Sequence, residues 1–312
     1  LEVKMGLSKK DLLGLKDMSR DEIQLILDTA VSFREVMGRE IKKVPVLRGK
    51  TVVNLFYEPS TRTRTSFELA AKMLSADVVN IATQTSAVQK GECLKDTVLT
   101  LTALGGDYIV IRTKMCGAPH FISTFFKGHV LNAGDGINEH PTQALLDMYT
   151  IKDTLGSIEG KKVLILGDIL HSRVSRSNIF GLVKMGAKVG VCAPPTLIPK
   201  YVEDLGVKVH LNLDAALPEY DIVNILRIQL ERQEDGLFAT THEYYEQYGM
   251  TGERLERRKN LLVLHPGPMN RGVEIAPEVA ESSQAVIETQ VTNGVAVRMA
   301  VLYLLLGGEA HV

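Results

Sequence analysis

Nine short apolar runs, each five to seven residues long, alternate with helix-like stretches along this 312-residue chain. In the first series they are TVVNLFY (51–57), DVVNIA (77–82), YIVIR (108–112) and HVLNA (129–133). The second comprises KVLILGD (162–168), AKVGVCA (187–193), VKVHL (207–211), DIVNILR (221–227) and LLVLHP (261–266). Parallel neighbours need a connection long enough to hold a helix, so this alternation predicts an α/β chain of mostly parallel sheets flanked by helices. Helices are expected near 63–75, 94–104, 118–127 and 141–154, then 173–185, 197–205 and 278–284. An earlier one starts after Asp17, where Ser19 and Glu22 have capping-box spacing and Ile23, Ile26, Leu27, Ala30 and Val31 share a face. The turn-like GSIEGKK (156–162) separates the series, predicting two α/β domains of roughly 150 residues joined near 147–160. A last helix, about 290–306, can pack on either. The sequence shows no solenoid-period repeat and no low-complexity linker.

Composition narrows the function classes. The chain carries 36 Lys+Arg against 37 Asp+Glu, a net charge of −1, so a generally basic nucleic-acid surface is not expected. Three scattered cysteines, Cys93, Cys116 and Cys192, make no disulfide framework and suggest a reducing compartment. The charged N-terminal stretch does not read as a secretory signal. The apolar tail from Val295 to Leu306 is interrupted by Arg298 and is too short for a bilayer. A cytoplasmic protein with no membrane contact is expected.

The strongest local signal is YEPSTRTRTSFE (57–68). A strand ends at Pro59, Ser60 is a good N-cap, and Thr61, Arg62, Thr63 and Arg64 crowd the first helical turn. Arginines are unfavourable at the positive end of a helix dipole, and a bound anion offsets that. Exposed N–H groups, hydroxyls and guanidiniums together describe a phosphate cradle. The alternative is a plain helix start whose arginines pair with Glu58 or Glu68.

Further polar residues stand at strand ends: Arg112 after YIVIR, His140 opening HPTQ, Arg227 after DIVNILR, and His265 opening HPGP. Ligands gather beyond the carboxyl ends of strands in doubly wound folds. Taken singly, each residue is as well explained by packing, capping or a solvated face. The segment 229–254 is too long and charged for an ordinary connection, and its length suits a surface loop with its own short helix or a lid. KVLILGDILHSR lacks the G-x-G-x-x-G spacing, and no P-loop, nucleophile elbow, H-E-x-x-H or C-x-x-C motif is present. Neither a nucleotide cofactor nor a metal is expected. Arginine-rich recognition of phosphate and carboxylate remains.

STRTRTSFE, HPTQALLD and HPGPMNRGVEI, in this order, closely resemble the aspartate/ornithine carbamoyltransferase family, over essentially the whole chain. TSAVQKGECLKDT (85–97) and the HPGP–NRGVEI combination resemble its aspartate branch, since ornithine enzymes usually carry a cysteine-containing HCLP motif. The resemblance implies transfer of the carbamoyl group of carbamoyl phosphate to the amino group of L-aspartate. The products are N-carbamoyl-L-aspartate and phosphate, in the second step of de novo pyrimidine synthesis. It implies a carbamoyl phosphate domain of residues 1–147 plus 287–312, the C-terminal helix packing back on it, and an aspartate domain of 148–286.

Carried over by motif, Ser60, Thr61, Arg62 and Thr63 hold phosphate, and Arg112 reaches phosphate and carbonyl oxygen. His140 hydrogen-bonds that oxygen, and Gln143 with the backbone of Pro266 and Gly267 holds the carbamoyl NH₂, Pro268 completing the wall. Thr63, Arg112 and His140 are the catalytic donors. Arg173 binds the α-carboxylate of aspartate, and Arg227 and Gln229 its side-chain carboxylate. Ser86 and Lys90 enter a neighbouring subunit's site, making a homotrimer the active unit. The family leaves open whether a regulatory chain or a dihydroorotase partner also binds. Gln89, Gly267 and Arg176 depart from the usual pattern. The rival readings are an ornithine-type enzyme, which Arg227 and Lys90 disfavour by charge, and a non-catalytic binding subunit of the same fold.

Overall fold

The computed structural model describes residues 6–82, 92–228 and 240–306. The chain divides into two compact units, Leu1–Tyr149 with Val291–Val312, and Thr150–Gln290. The first contains α1 (Arg20–Met37), β1 (Thr51–Phe56), α2 (Thr61–Met73), β2 (Asp77–Ala82), α3 (Leu94–Ala103), β3 (Tyr108–Thr113), α4 (Ala118–Ser123) and β4 (His129–Asp135). Then α5 (Pro141–Leu155) begins. The second holds β5 (Lys162–Leu166), α6 (Arg173–Lys184), β6 (Lys188–Cys192), β7 (Lys208–His210), α7 (Leu213–Ala216) and β8 (Ile222–Ile225). It continues through α8 (Thr241–Tyr248), α9 (Gly252–Glu256), β9 (Leu262–Leu264) and α10 (Pro277–Ala280), and α11 (Ile287–Leu305) follows.

All strand pairs within both sheets are parallel. The order is β2-β1-β3-β4 in the first sheet and β7-β6-β5-β8-β9 in the second. Strands of this kind are buried on both faces, and β1, β5 and β8 accordingly are buried almost end to end, Asn54 and Asn224 included. In the first unit Val53, Leu55, Ile109, Ile111 and Val130 form one core with Val98 and Leu101 of α3 and with Ile122 and Phe126.

The expected capping box is present in α1: the Ser19 hydroxyl accepts from the Glu22 N–H, and the Glu22 carboxylate accepts from the Ser19 N–H. Val31 is a correction, being 43% exposed. The buried face runs through Ile23, Ile26, Leu27 and Ala30 and turns toward Phe33 and Val36, which puts Val31 past its edge at 100° per residue. α11 packs on this helix from Val291 onward, with Arg34 Nε donating to Asn293 Oδ1 at 3.3 Å and the Phe33 and Tyr303 rings edge to face.

The helix expected over 197–205 does not form; two 3₁₀ turns, Pro195–Leu197 and Val202–Leu205, stand there instead. Pro199 has no N–H to donate and disfavours helical backbone at Ile198, and Tyr201 takes a φ of 62°. The helix expected over 278–284 is reduced to the single turn of α10. Among the described residues no helix is long and apolar enough to cross a membrane, and no three His, Cys, Asp or Glu side chains are grouped to hold a metal.

Candidate active site

In the first unit the chain runs from β1 out to β2, then returns to place β3 on the other side of β1. A crevice opens at such a reversal, beyond the carboxyl ends of the two strands. Phe56 and Arg112 are in register there, and the Tyr57 N–H donates to the Arg112 carbonyl at 2.8 Å. The STRTR segment and Arg112 therefore leave the sheet side by side.

Ser60 occupies the N-cap of α2, but its hydroxyl makes no capping bond. Its ψ is 89°, against 163° at Ser19, whose hydroxyl does cap. The first-turn N–H groups of α2 are thus not closed by the cap side chain and can serve an anion. Thr63 is buried on this turn, while Arg62 is open to solvent. The protein around Arg62 desolvates its guanidinium and lowers its pKa, with no carboxylate opposing this. Both candidate carboxylates have partners outside the STRTR turn. Glu58 Oε2 lies 3.4 Å from Arg112 Nε. Glu68 is held below the ordinary carboxylate range by hydrogen bonds from Lys72 and Asn80, with Arg64 the weakest contributor.

His140, 3% exposed, immediately precedes α5. The turn that carries it is fastened by Asp135, which accepts from Asn132 Nδ2 (2.8 Å), Gly117 N (2.8 Å), Asn138 Nδ2 (3.0 Å) and Glu139 N (3.1 Å). The buried Glu139 carboxylate accepts from the N–H groups of Leu15 and Lys16 at 2.7 and 3.2 Å. A side chain at Gly14 would overlap that carboxylate. One turn into α5, Gln143 Nε2 donates to Asp147 Oδ1 at 2.9 Å.

The second unit repeats the arrangement. Its strand order reverses between β5 and β8, where Leu166 and Ile225 are in register and the Leu226 N–H donates to the Leu166 carbonyl at 2.7 Å. Beyond β5, Asp168 accepts from the backbone N–H of His171 at 3.0 Å, and its carboxylate lies 3.0 Å from His171 Nδ1. Ser172 caps α6 through the Ser175 N–H. Arg173, only 5% exposed, is the first residue of that helix. A buried cation at a helix N-terminus is again unfavourable locally. Arg227 follows β8 and is half-buried.

At the exit of β9 the Gly267 N–H donates to His265 Nδ1 at 2.8 Å. Nδ1 is therefore the acceptor, and the ring proton sits on Nε2, 3.2 Å from Glu274 Oε1. Gly267 has a φ of 59°, a left-handed conformation that suits glycine. The fully buried Glu274 also accepts from the N–H groups of Asn270 and Ile228, and Asn270 Nδ2 donates to the Ile228 carbonyl at 3.0 Å. One carboxylate thus fastens the exits of β8 and β9, carrying Arg227 and the Pro266–Gly267–Pro268 turn. The motifs give no role to Glu274, and Glu58 figures there only as a possible partner of the STRTR arginines. Glu274 stands inside the quoted NRGVEI, but local sequence does not reveal which backbone groups a buried acid will meet. Arg176 is exposed and stacks over Phe180, 5.8 Å from the ring centroid.

Ser86, Lys90, Gln89 and Gln229 lie outside the described residues, as does 229–239 of the long segment. The rest of that segment holds α8 and α9, the short helical structure expected of a surface loop.

Comparison with known proteins gives one consistent result. Residues 10–153 match the aspartate/ornithine carbamoyltransferase carbamoyl-P binding domain, and residues 159–305 match that family's Asp/Orn binding domain. The chain is 62% identical over 305 residues to the aspartate carbamoyltransferase catalytic subunit of Moorella thermoacetica, covering 97% of this chain and 99% of the relative. Its structure is similar to the catalytic subunit of M. jannaschii aspartate transcarbamoylase (TM-score 0.84, 35% identity, 97% and 100% of the two chains). It is also similar to the Trypanosoma cruzi aspartate transcarbamoylase in complex with carbamoyl phosphate and aspartate (TM-score 0.86, 28% identity, 94% of each chain).

Proposed function

The chain belongs to the aspartate/ornithine carbamoyltransferase family, and on that premise we propose that it transfers the carbamoyl group of carbamoyl phosphate to the amino group of L-aspartate. The products are N-carbamoyl-L-aspartate and phosphate, and the setting is cytoplasmic pyrimidine synthesis. The observation that carries the reading is the start of α2. There a helix N-terminus, not closed by its cap side chain, carries Arg62 and follows the end of β1, whose Phe56 is in register with Arg112 at a reversal of strand order. Phosphate supplies the negative charge this turn calls for.

Ser60, Thr61, Arg62 and Thr63 hold the phosphate. Thr63, Arg112 and His140 aim donors at the carbonyl oxygen, where negative charge grows as the amine attacks; preorganised donors of this kind supply much of a rate enhancement. Gln143 and the backbone of Pro266 and Gly267, with Pro268 beside them, hold the carbamoyl NH₂. Arg173 takes the α-carboxylate of aspartate, and Arg227 with Gln229 its side-chain carboxylate. The attacking amine must approach the carbonyl carbon to about 3–3.5 Å after losing a proton. A phosphate oxygen of the substrate is our candidate base. No covalent enzyme intermediate enters this scheme.

Two arginines suit a dicarboxylate and would repel the cationic side chain of ornithine, in keeping with the names of the relatives. Ser86 and Lys90 contact the substrates of a neighbouring subunit in a homotrimer. The deciding assay is phosphate release from carbamoyl phosphate with aspartate and, separately, with ornithine. Release with aspartate alone is expected; release with ornithine would reassign the amine, and release with neither would favour a binding subunit.

A further inference from the structure

An amide side chain looks nearly the same whichever way round it sits, and the chemistry of its partners decides its orientation. Gln143 is 7% exposed and has such a partner in Asp147, one helical turn along α5 and fully buried. A carboxylate only accepts, so the Gln143 NH₂ must face Asp147, as the 2.9 Å Nε2···Oδ1 contact has it. The amide oxygen Oε1 is then the end left to serve a ligand. A carbamoyl group offers two N–H donors there, which only that oxygen can receive.

A buried carboxylate is costly unless donors and a counter-charge face it. Arg298 of α11, 3% exposed, acts electrostatically on Asp147. Burial lowers the Arg298 pKa to about 10, with Asp147 opposing the shift, so it is a cation at neutral pH. The guanidinium has further tethers. Its Nη1 donates to Ser66 Oγ (2.8 Å) and to the Gly294 carbonyl (3.0 Å), and its Cζ lies 5.0 Å from the Phe67 ring centroid. A side chain at Gly294 would meet that guanidinium at 2.6 Å. A charged residue in the middle of an apolar helix, where a core residue would be expected, is thereby given a task.

We propose that Asp147 and Arg298 are positioning residues that lock the Gln143 amide with its oxygen toward the ligand, so that the site selects a carbamoyl over an acetyl group. The proposal rests on the reading of Gln143 as the carbamoyl contact. Sites built to hydrogen-bond a substrate N–H reject an analogue that lacks it, because the buried acceptor is left unpaired.

The test compares carbamoyl phosphate with acetyl phosphate, in which a methyl group replaces the NH₂. Both share the phosphate, so a general disturbance of α2 or of the fold cancels in the ratio of their affinities. Asp147→Asn replaces a group that only accepts with an amide that can equally donate to Gln143, so the orientation of the Gln143 amide is no longer fixed and its NH₂ can turn toward the carbamoyl NH₂. The preference for carbamoyl phosphate over acetyl phosphate should fall roughly tenfold or more, as for one lost buried hydrogen bond. Acetyl phosphate affinity should change little. The double variant Asp147→Leu/Arg298→Met removes the pair without leaving a lone buried charge, and should show the same loss while remaining folded by thermal melting. Gln143→Ala separates the two levels of the argument. If Gln143→Ala itself keeps the preference, the contact assignment fails. If Gln143→Ala loses it while either folded pair variant keeps it, Gln143 makes the contact but Asp147 and Arg298 do not orient it, and the proposal is overturned.

Discussion

Arg112 Nε stands 3.4 Å from Glu58 Oε2, across the point where the strand order of the first sheet reverses. Both side chains are largely buried, at 17% and 7% exposure, and Arg112 Nη1 also donates to the Ala133 carbonyl at 3.4 Å. A carboxylate therefore holds this arginine in the position from which it would meet a phosphate. Glu58→Gln removes a charge that competes with the incoming anion, worth on the order of 1 kcal/mol at this partly screened site. Inorganic phosphate should inhibit the variant at severalfold lower concentration, while kcat falls as Arg112 loses its fixed geometry. Steady-state kinetics with phosphate as inhibitor decide this; unchanged values on both counts would leave Glu58 a packing role only.

Arg62 has no ion-pair partner among the described residues, and desolvation already disfavours its charged form. If phosphate is the missing partner and the two meet in a pocket closed to water, Arg62→Ala should cost roughly 2–5 kcal/mol of transition-state binding. At about 1.4 kcal/mol per decade, kcat/KM drops roughly 30-fold to several thousand-fold. A folded variant that turns over at a near-normal rate removes the phosphate cradle from the scheme.

Arg227 separates the two substrates. Only aspartate carries the side-chain carboxylate it is proposed to bind, and a hydrogen bond to a charged group contributes about 1.5–3 kcal/mol. Arg227→Ala should raise the KM for aspartate roughly 10- to 150-fold and leave that for carbamoyl phosphate nearly unchanged. Equal damage to both would point to a structural role through the Ile228–Glu274–Asn270 connections.

The shared-site reading is tested by complementation. Lys90→Ala and Arg112→Ala chains should each be nearly inactive. After dissociation and mixing, some sites of a hybrid trimer receive an intact Lys90 from one chain and an intact Arg112 from another. Activity should reappear in those hybrids. Well-formed hybrids as inactive as their parents would show that Lys90 serves its own chain or none.

All nine apolar runs became strands, and the Ser19 capping box formed as its spacing predicts. These features were legible because alternation, periodicity and caps are local, set by side chains within a few residues of one another. The misses also have physical causes. The apolar spacing over 197–205 gave way to the missing N–H of Pro199, and Ser60 took its cap position without the cap bond.

Sequence alone determined which residues would stand at the strand exits, and that arginines and histidines recur there. It could not determine which exits are neighbours. That depends on the orders β2-β1-β3-β4 and β7-β6-β5-β8-β9, which arise from pairing between strands far apart in the chain. The tertiary structure put Arg112 beside the STRTR turn and the exit of β8 beside that of β5. It also chose the partners of the buried charges: Glu58 for Arg112, His265 for Glu274, Gln143 for Asp147, and Ser66 for Arg298. A buried charge must be met by whatever group the fold brings to it. Such contacts join residues up to 232 positions apart, as between Arg298 and Ser66, beyond the reach of any local pattern.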